Sequence, residues 1–125
     1  MKLLRAISTA ILLAALSISG ATAHAGGPQL GTPTAPRVIN IVAKRYSFTP
    51  NQIILKKGET VTLRLSSEDL VHGFYLKPLK IDEVIEPGKV TEVTVTPAQA
   101  GTFTIICDHF CGAGHGNMNM TVAVE

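Results

Sequence analysis

The sequence has no tryptophan, only two cysteines, and no long apolar run after its first 25 residues. The missing tryptophan excludes an electron-accepting surface built on an indole ring. The missing second apolar run excludes a membrane span in the rest of the chain, because a spanning helix needs about 20 apolar residues. A length of 125 residues leaves room for one domain of ordinary size.

The first 25 residues have the pattern of a secretory signal. Met1–Arg5 is short and basic, residues 6–19 are apolar, and Ala23-His24-Ala25 has the small-x-small pattern that signal peptidase cuts. The apolar run is shorter than the roughly 20 residues that a membrane-spanning helix needs. We therefore expect residues 1–25 to be a signal peptide, removed before Gly26, and the protein to be exported to the periplasm.

The charge balance of the exported part is close to zero. The whole chain has 11 Lys and Arg against 9 Asp and Glu, and both Lys2 and Arg5 lie in the predicted signal peptide. Their removal leaves nine basic and nine acidic side chains. No basic stripe remains that would favour nucleic acid or an anionic membrane surface as a partner.

The exported part is predicted to be a short leader followed by an all-β domain. Residues 26–37 contain three prolines and indicate a flexible leader, and residues 38–125 form the domain. Short segments there alternate apolar and polar residues, as strands with one buried face must, and none has a helical period. Strands are predicted at 38–43, 52–56, 60–65, 81–85, 90–95, 101–106 and 118–124, with Val61, Leu63, Leu65, Val93, Val95, Phe103 and Ile105 facing inward. About seven short strands separated by Gly and Pro turns are typical of a β-sandwich.

One twelve-residue segment concentrates side chains that bind metals. It contains Cys107, Cys111, His115 and Met118, and a further histidine, His72, lies upstream. Thiolate, thioether and imidazole ligands together suit copper. The segment leaves one predicted strand, passes through glycines and enters the last strand, so its side chains can surround one point.

Other interpretations of these residues are open from the sequence alone. Two cysteines in an exported protein often form a disulfide, which would leave the histidines and Met118 without a role. Two Cys and two His can bind zinc tetrahedrally, although Met118 would then be unused. A mononuclear copper site with one Cys, two His and Met118 would leave the second cysteine idle.

The spacing Cys107-x-x-x-Cys111-x-x-x-His115-x-x-Met118, with His72 on an upstream strand, resembles the copper-binding domain of cytochrome c oxidase subunit II. That domain carries the dinuclear CuA centre, which also occurs in nitrous oxide reductase. The resemblance extends over nearly the whole domain, through the runs 48–53, 57–61, 69–74, 86–89 and 100–103. It implies a cupredoxin-like Greek-key β-sandwich.

The resemblance also implies a role for each ligand. Cys107 and Cys111 would bridge two copper ions, and His72 and His115 would each bind one ion. Met118 and the backbone carbonyl of His109 would be weak axial ligands. The family places an acidic residue near the upstream histidine, here Asp69, and Phe74 and Phe110 are expected to pack beside the metal and exclude water.

Departures from the oxidase pattern affect the expected role. The residue that donates its carbonyl is typically Glu in the oxidase but is His109 here, and the aromatic site for electrons from cytochrome c is absent because there is no tryptophan. The two transmembrane helices of typical subunits are also missing. We therefore expect a free periplasmic electron-transfer protein whose partner is a redox protein, such as a c-type cytochrome or another cupredoxin. Copper delivery or tolerance is the alternative, and an enzyme is not expected because every candidate ligand is used.

Overall fold

The computed structural model describes residues 34–125, which form an all-β sandwich. The predicted signal peptide and most of the predicted leader lie outside the described residues. Nine strands follow one another, with a 3-10 turn at Lys77–Leu79 and another at His115–Asn117. The strands are β1 Arg37–Lys44, β2 Ser47–Thr49, β3 Gln52–Leu55, β4 Val61–Ser67, β5 His72–Leu76, β6 Ile81–Ile85, β7 Thr91–Val95, β8 Gly101–Ile106 and β9 Asn119–Val124.

The strands form two sheets. The four-stranded sheet has the order β2-β1-β4-β7, and the five-stranded sheet has the order β3-β9-β8-β5-β6. Strand pairs β1–β4 and β3–β9 are parallel, whereas the other pairs are antiparallel. The prediction of an all-β sandwich is therefore confirmed. Within residues 34–125, no helix is long and apolar enough to cross a membrane.

The predicted inward positions lie where the alternation placed them. Val61, Leu63 and Leu65 are completely buried, and Val95 and Ile105 are also buried. Val93 and Phe103 are partly buried and pack against the same core. Because a strand turns successive side chains to opposite faces, the intervening threonines and charged residues face outward. Gly58 and Gly88 have φ of +79° and +78°, which explains the glycines at these two predicted turns.

All seven predicted strands are present, with bounds that differ by no more than two residues. The first strand begins at Arg37, the last residue of the predicted leader. Arg37 belongs to the strand because it pairs with Val61 of β4. Two of the observed strands, β2 and β5, have no predicted range. β2 has only three residues, too few to show a period, and β5 is buried at four of its five positions, so it shows no alternation.

Candidate metal centre

His72 is placed by strand β5, of which it is the first residue. Its side chain is completely buried, and its Nε2 lies 2.7 Å from Oδ1 of Asp69. A histidine held this way by a carboxylate has its ring orientation and its tautomer set by that partner. His72 is therefore positioned by the protein itself.

Asp69 is held as a carboxylate by several hydrogen bonds. The backbone amide of Arg45 donates to its Oδ2 at 2.9 Å, and the amide of Leu70 donates to its Oδ1 at 2.8 Å. Burial alone would raise the pKa of Asp69, but the bonds from Arg45, His72 and Leu70 together hold that pKa well below its usual range. Because an ionised carboxylate can only accept, Nε2 of His72 carries the proton. In the neutral ring the lone pair then lies on Nδ1, which is 4.0 Å from Sγ of Cys107.

The second part of the site is the loop between β8 and β9. Cys107 directly follows β8, and its backbone amide donates to the carbonyl of Met118 at 3.0 Å, which closes the loop at its base. Within the loop, the amide of His115 donates to the carbonyl of Gly112 at 3.1 Å, and the amide of Met118 donates to the carbonyl of His115 at 3.1 Å. These bonds form the 3-10 turn that presents His115.

The loop brings sulfur and nitrogen atoms into one cluster. The Sγ atoms of Cys107 and Cys111 lie 3.8 Å apart, Sγ of Cys111 lies 3.7 Å from Nδ1 of His115, and it lies 3.8 Å from Sδ of Met118. The ligand atoms of His72, Cys107 and Cys111 all lie within 4.8 Å of one another. Both cysteines and Met118 are buried. Each imidazole thus lies beside one thiol, His72 beside Cys107 and His115 beside Cys111. The thioether of Met118 lies beside Cys111.

His109 contributes its backbone and not its side chain. Its carbonyl oxygen lies 3.2 Å from Sγ of Cys107, whereas the residue is exposed. The structure therefore brings together all six positions singled out in the sequence, with His109 present through its carbonyl. Whether they bind metal stays a prediction.

The donor set fits a soft metal ion. Both cysteines are free thiols, and a separation of 3.8 Å is far from the roughly 2.05 Å of a disulfide. It is also shorter than twice a metal–sulfur bond of about 2.3 Å, so a single ion can contact both sulfurs. Two thiols, two imidazoles and a thioether are the ligands that copper prefers. The buried position of Met118 among them also favours copper over a four-ligand zinc site.

Metal binding to these thiols must displace protons. Burial, reinforced by the neighbouring Cys107 and by Asp69, raises the pKa of the Cys111 thiol to about 11. Cys111 is therefore protonated at neutral pH in the metal-free protein. A metal that binds as a thiolate complex releases this proton, so the metal affinity of the site depends on pH.

Gly73 is part of the site, although the spacing of the ligands does not point to it. Its amide donates to Sγ of Cys107 at 3.3 Å. A Cβ at this position would lie 2.7 Å from the amide nitrogen of His109 and 2.8 Å from that of Asp108. Only a residue without a side chain lets the cysteine loop lie this close to β5. A glycine directly after the upstream histidine was the available signal.

The two phenylalanines near the site behave differently. Phe74 is completely buried and packs edge-on against Phe48, with ring centroids 5.4 Å apart. Phe110 is 76% exposed, and its ring centroid lies 5.8 Å from that of His115. The prediction that Phe110 packs beside the metal is wrong, because the loop turns this side chain outward, and it forms an apolar surface next to His115.

Comparison with known proteins places this geometry in context. The family model of the cupredoxin-like domain matches residues 8–122. Cytochrome c oxidase subunit 2 of Thermus thermophilus is 32% identical over 87 residues, which are 70% of this chain and 64% of that protein. Nitrous-oxide reductase of Cupriavidus necator is 33% identical over 91 residues, 70% of this chain and 14% of that protein. The chain thus spans less than two thirds of the length of each of these relatives.

The fold is also found among solved structures. The periplasmic domain of cytochrome oxidase subunit II from Bradyrhizobium japonicum superimposes with a TM-score of 0.67 and 18% identity, covering 74% of this chain and 86% of that one. The resemblance to subunit II domains inferred from the ligand spacing is therefore confirmed in both sequence and fold.

Proposed function

The chain belongs to the cupredoxin-like domain family, and from this premise we propose that it is a periplasmic one-electron transfer protein with a dinuclear copper centre. The observation that carries the proposal is the pair of buried thiols 3.8 Å apart, one beside Nδ1 of His72 and the other beside Nδ1 of His115. A mononuclear copper site with one Cys, two His and Met118 would leave one of these thiols idle. Two thiols placed symmetrically between two imidazoles favour two ions.

In this proposal each donor has a distinct task. Cys107 and Cys111 would hold two copper ions through their sulfurs, and His72 and His115 would each supply a nitrogen ligand. The thioether of Met118 and the carbonyl of His109 would be weak ligands that adjust the potential. Copper, when bound, supplies a couple that accepts and releases one electron. The protein holds His72 on the sandwich and the other donors in the loop that packs against it, and it keeps water from the sulfurs, so little rearrangement accompanies a change of charge.

The burial of the donors supports electron transfer over catalysis or delivery. All the sulfur atoms and His72 lie in residues at most 4% exposed, so no position is left open for a substrate. Because His72 belongs to β5 and the cysteines to the loop after β8, release of copper requires the loop to separate from the sandwich. A delivery protein needs an exchangeable site. Electrons, in contrast, need only a short path to the surface.

The surface beside His115 is where we place the redox partner. Phe110 is the most exposed of the large apolar side chains in the described residues, and its ring lies against that of His115. Aromatic side chains are enriched at protein interfaces, and this one lies beside a ligand histidine, so we place the contact with a c-type cytochrome or another cupredoxin here. Because the exported part has balanced charge, association should depend only modestly on salt.

The domain limits and the location belong to the same proposal. Residues 1–25 are the signal peptide, residues 26–37 the leader and residues 38–125 the copper domain. Export brings the cysteines into the periplasm, where the partner cytochromes are found. The intact mass of the protein extracted from periplasm should begin at Gly26; a mass that includes residues 1–25, found only with membranes, would contradict this.

The function is tested by metal content, spectroscopy and kinetics on the copper-loaded protein. We expect two copper ions per chain and an EPR signal from one unpaired electron shared by two copper nuclei. One copper per chain with a mononuclear signal would reject the dinuclear centre. In stopped-flow experiments, electron exchange with a small redox partner should be much faster than copper transfer to a chelator. Rapid copper transfer with slow electron exchange would instead favour copper delivery.

A further inference from the structure

The two parts of the metal centre are both contacted by one short turn. Arg45 and Tyr46 connect β1 to β2, and they are adjacent in the chain. We propose that this turn is a positioning element: it holds His72, through Asp69, in register with the loop that carries Cys111 and His115, so that the donors are assembled before metal binds. The inference rests on the proposed function only in taking these donors as the site.

The side chain of Tyr46 lies directly against two glycines of the ligand loop. A Cβ at Gly112 would lie 2.5 Å from Oη of Tyr46 and 3.3 Å from its Cζ. A Cβ at Gly114 would lie 2.5 Å from Cδ2 and 2.6 Å from Cγ of the same ring. The ring therefore covers both positions, and no side chain fits at either while it is there. This seat, formed by Gly112 and Gly114, lies between Cys111 and His115.

The requirement for glycine at position 114 comes from the Tyr46 ring and not from the backbone. Gly112 has φ of +128°, which by itself explains a glycine at that position. Gly114 has φ of −90°, a value that any residue can adopt, so its backbone does not require glycine. At Gly116, two residues later, an added Cβ would have no atom within 4 Å. Contact with Tyr46 is thus the physical reason for glycine at position 114.

Arg45 reaches the other part of the site through its backbone. Its amide donates to Oδ2 of Asp69 at 2.9 Å, and Oδ1 of Asp69 accepts from Nε2 of His72 at 2.7 Å. The guanidinium also contacts Asp69, but at 3.4 Å and on an exposed side chain, so it contributes little. The orientation of His72 therefore depends on where the turn lies, and the same turn sets the position of the Tyr46 ring.

The ring adds to the backbone hydrogen bonds within the loop, and it matters because the loop is rich in glycine. The segment from Cys111 to Gly116 has three glycines, which lose much backbone entropy when they are fixed. No hydrogen bond of the Tyr46 hydroxyl is found among residues 34–125. The stabilising interaction is therefore packing of the ring against the glycine backbone. Removing the ring should loosen the loop, whereas removing only the hydroxyl should not.

Substitutions on both sides of the contact test the proposal in the metal-free protein. Hydrogen exchange of the His115, Asn117 and Met118 amides reports loop order, and exchange of β4 amides reports the whole sandwich. We expect Tyr46→Ala to speed loop exchange by about tenfold with little change in β4, and Tyr46→Phe to resemble the wild type. Gly114→Ala should speed loop exchange similarly, whereas the matched Gly116→Ala should not.

The double variant is the sharpest comparison. If the ring and position 114 touch, Tyr46→Ala combined with Gly114→Ala should be no worse than Tyr46→Ala alone, because the space left by the ring accepts the methyl group. Additive effects would overturn the proposal, as would unchanged exchange in Tyr46→Ala. If Tyr46→Ala loosens β4 equally, the residue supports the whole fold and the proposal is also wrong.

The copper-loaded protein provides a second readout. Loss of copper to a chelator should be about tenfold faster in Tyr46→Ala and Gly114→Ala than in the wild type, and unchanged in Gly116→Ala. Unchanged copper loss in both variants would contradict the positioning role. A wild-type protein that binds a single copper would reject the proposed function alone, since hydrogen exchange in the metal-free variants does not depend on metal stoichiometry.

Discussion

The two histidines of the candidate centre are held in contrasting ways. His72 begins a strand, is completely buried, and donates to a carboxylate that has two backbone amides of its own as partners. His115 lies in a 3-10 turn of the connecting loop and is only partly buried. Within residues 34–125, the His115 ring is contacted by Sγ of Cys111 and by the exposed ring of Phe110.

The contrast indicates that one half of the site is built by the fold and the other by the loop. A strand residue inherits its position from the sheet, and a charge-assisted hydrogen bond then sets its rotation. A loop residue depends on its own turn and on whatever packs against it. The half with His72 should therefore take its order from the sheet, whereas the half with His115 should depend on the packing of Tyr46 for its order in the metal-free protein.

The largest expected effect is from the cysteines, which belong to both halves. Cys107→Ser or Cys111→Ser should abolish the dinuclear centre, because a hydroxyl does not replace a bridging thiolate, and should leave at most a mononuclear site. Metal analysis and EPR of the purified variants measure this. A serine variant that retains two copper ions and the shared-electron signal would contradict the bridging role.

The histidines should differ in their effect on the stability of the metal-free protein. His72→Ala removes a fully buried ring and a hydrogen bond to Asp69, and we expect it to lower the free energy of unfolding by about 2 kcal/mol. His115→Ala, at a partly exposed loop position, should change it by no more than about 0.5 kcal/mol. Urea denaturation compares the two. Equal losses would show that the halves are not built differently.

The contribution of Asp69 to the stability of the His72 half depends on pH. Its folded pKa lies below the ordinary 3.8, so it contributes stability that is present above that pH and lost as the pH falls through the lowered value. Metal-free Asp69→Asn should be less stable at neutral pH, and its stability should decrease less on acidification below pH 4 or so. Asp82→Asn, at an exposed position of β6, is the control. Parallel pH profiles for wild type and Asp69→Asn would contradict this role.

The smallest expected effect is from the axial thioether. Met118→Leu conserves volume at a buried position, so the free energy of unfolding should change by less than about 1.5 kcal/mol. The centre should keep both copper ions, and its reduction potential should shift, because weak axial ligands tune a copper site without holding it. Voltammetry measures the shift. Loss of one copper would show that Met118 is a principal ligand.

Much of the fold could be predicted from local patterns. Alternation in segments such as 60–65 and 90–95 identified strands because a half-buried strand repeats every two residues. The same information failed for β5, which is buried on both faces, and for β2, which is too short to repeat. It also failed for Phe110, since nothing in a loop sequence says which way one side chain points.

The sequence by itself determined which donors the chain offers and how four of them are spaced, because Cys107, Cys111, His115 and Met118 lie within one segment. Only the tertiary structure decided what orients them. Asp69 and Arg45 are 24 positions apart, and Gly73 and Cys107 are 34 positions apart. Tyr46, in the turn between β1 and β2, meets Gly114 in the loop between β8 and β9. Such contacts arise from the pairing and packing of strands, and no periodicity along the chain records which distant backbone will lie against a given glycine or carboxylate.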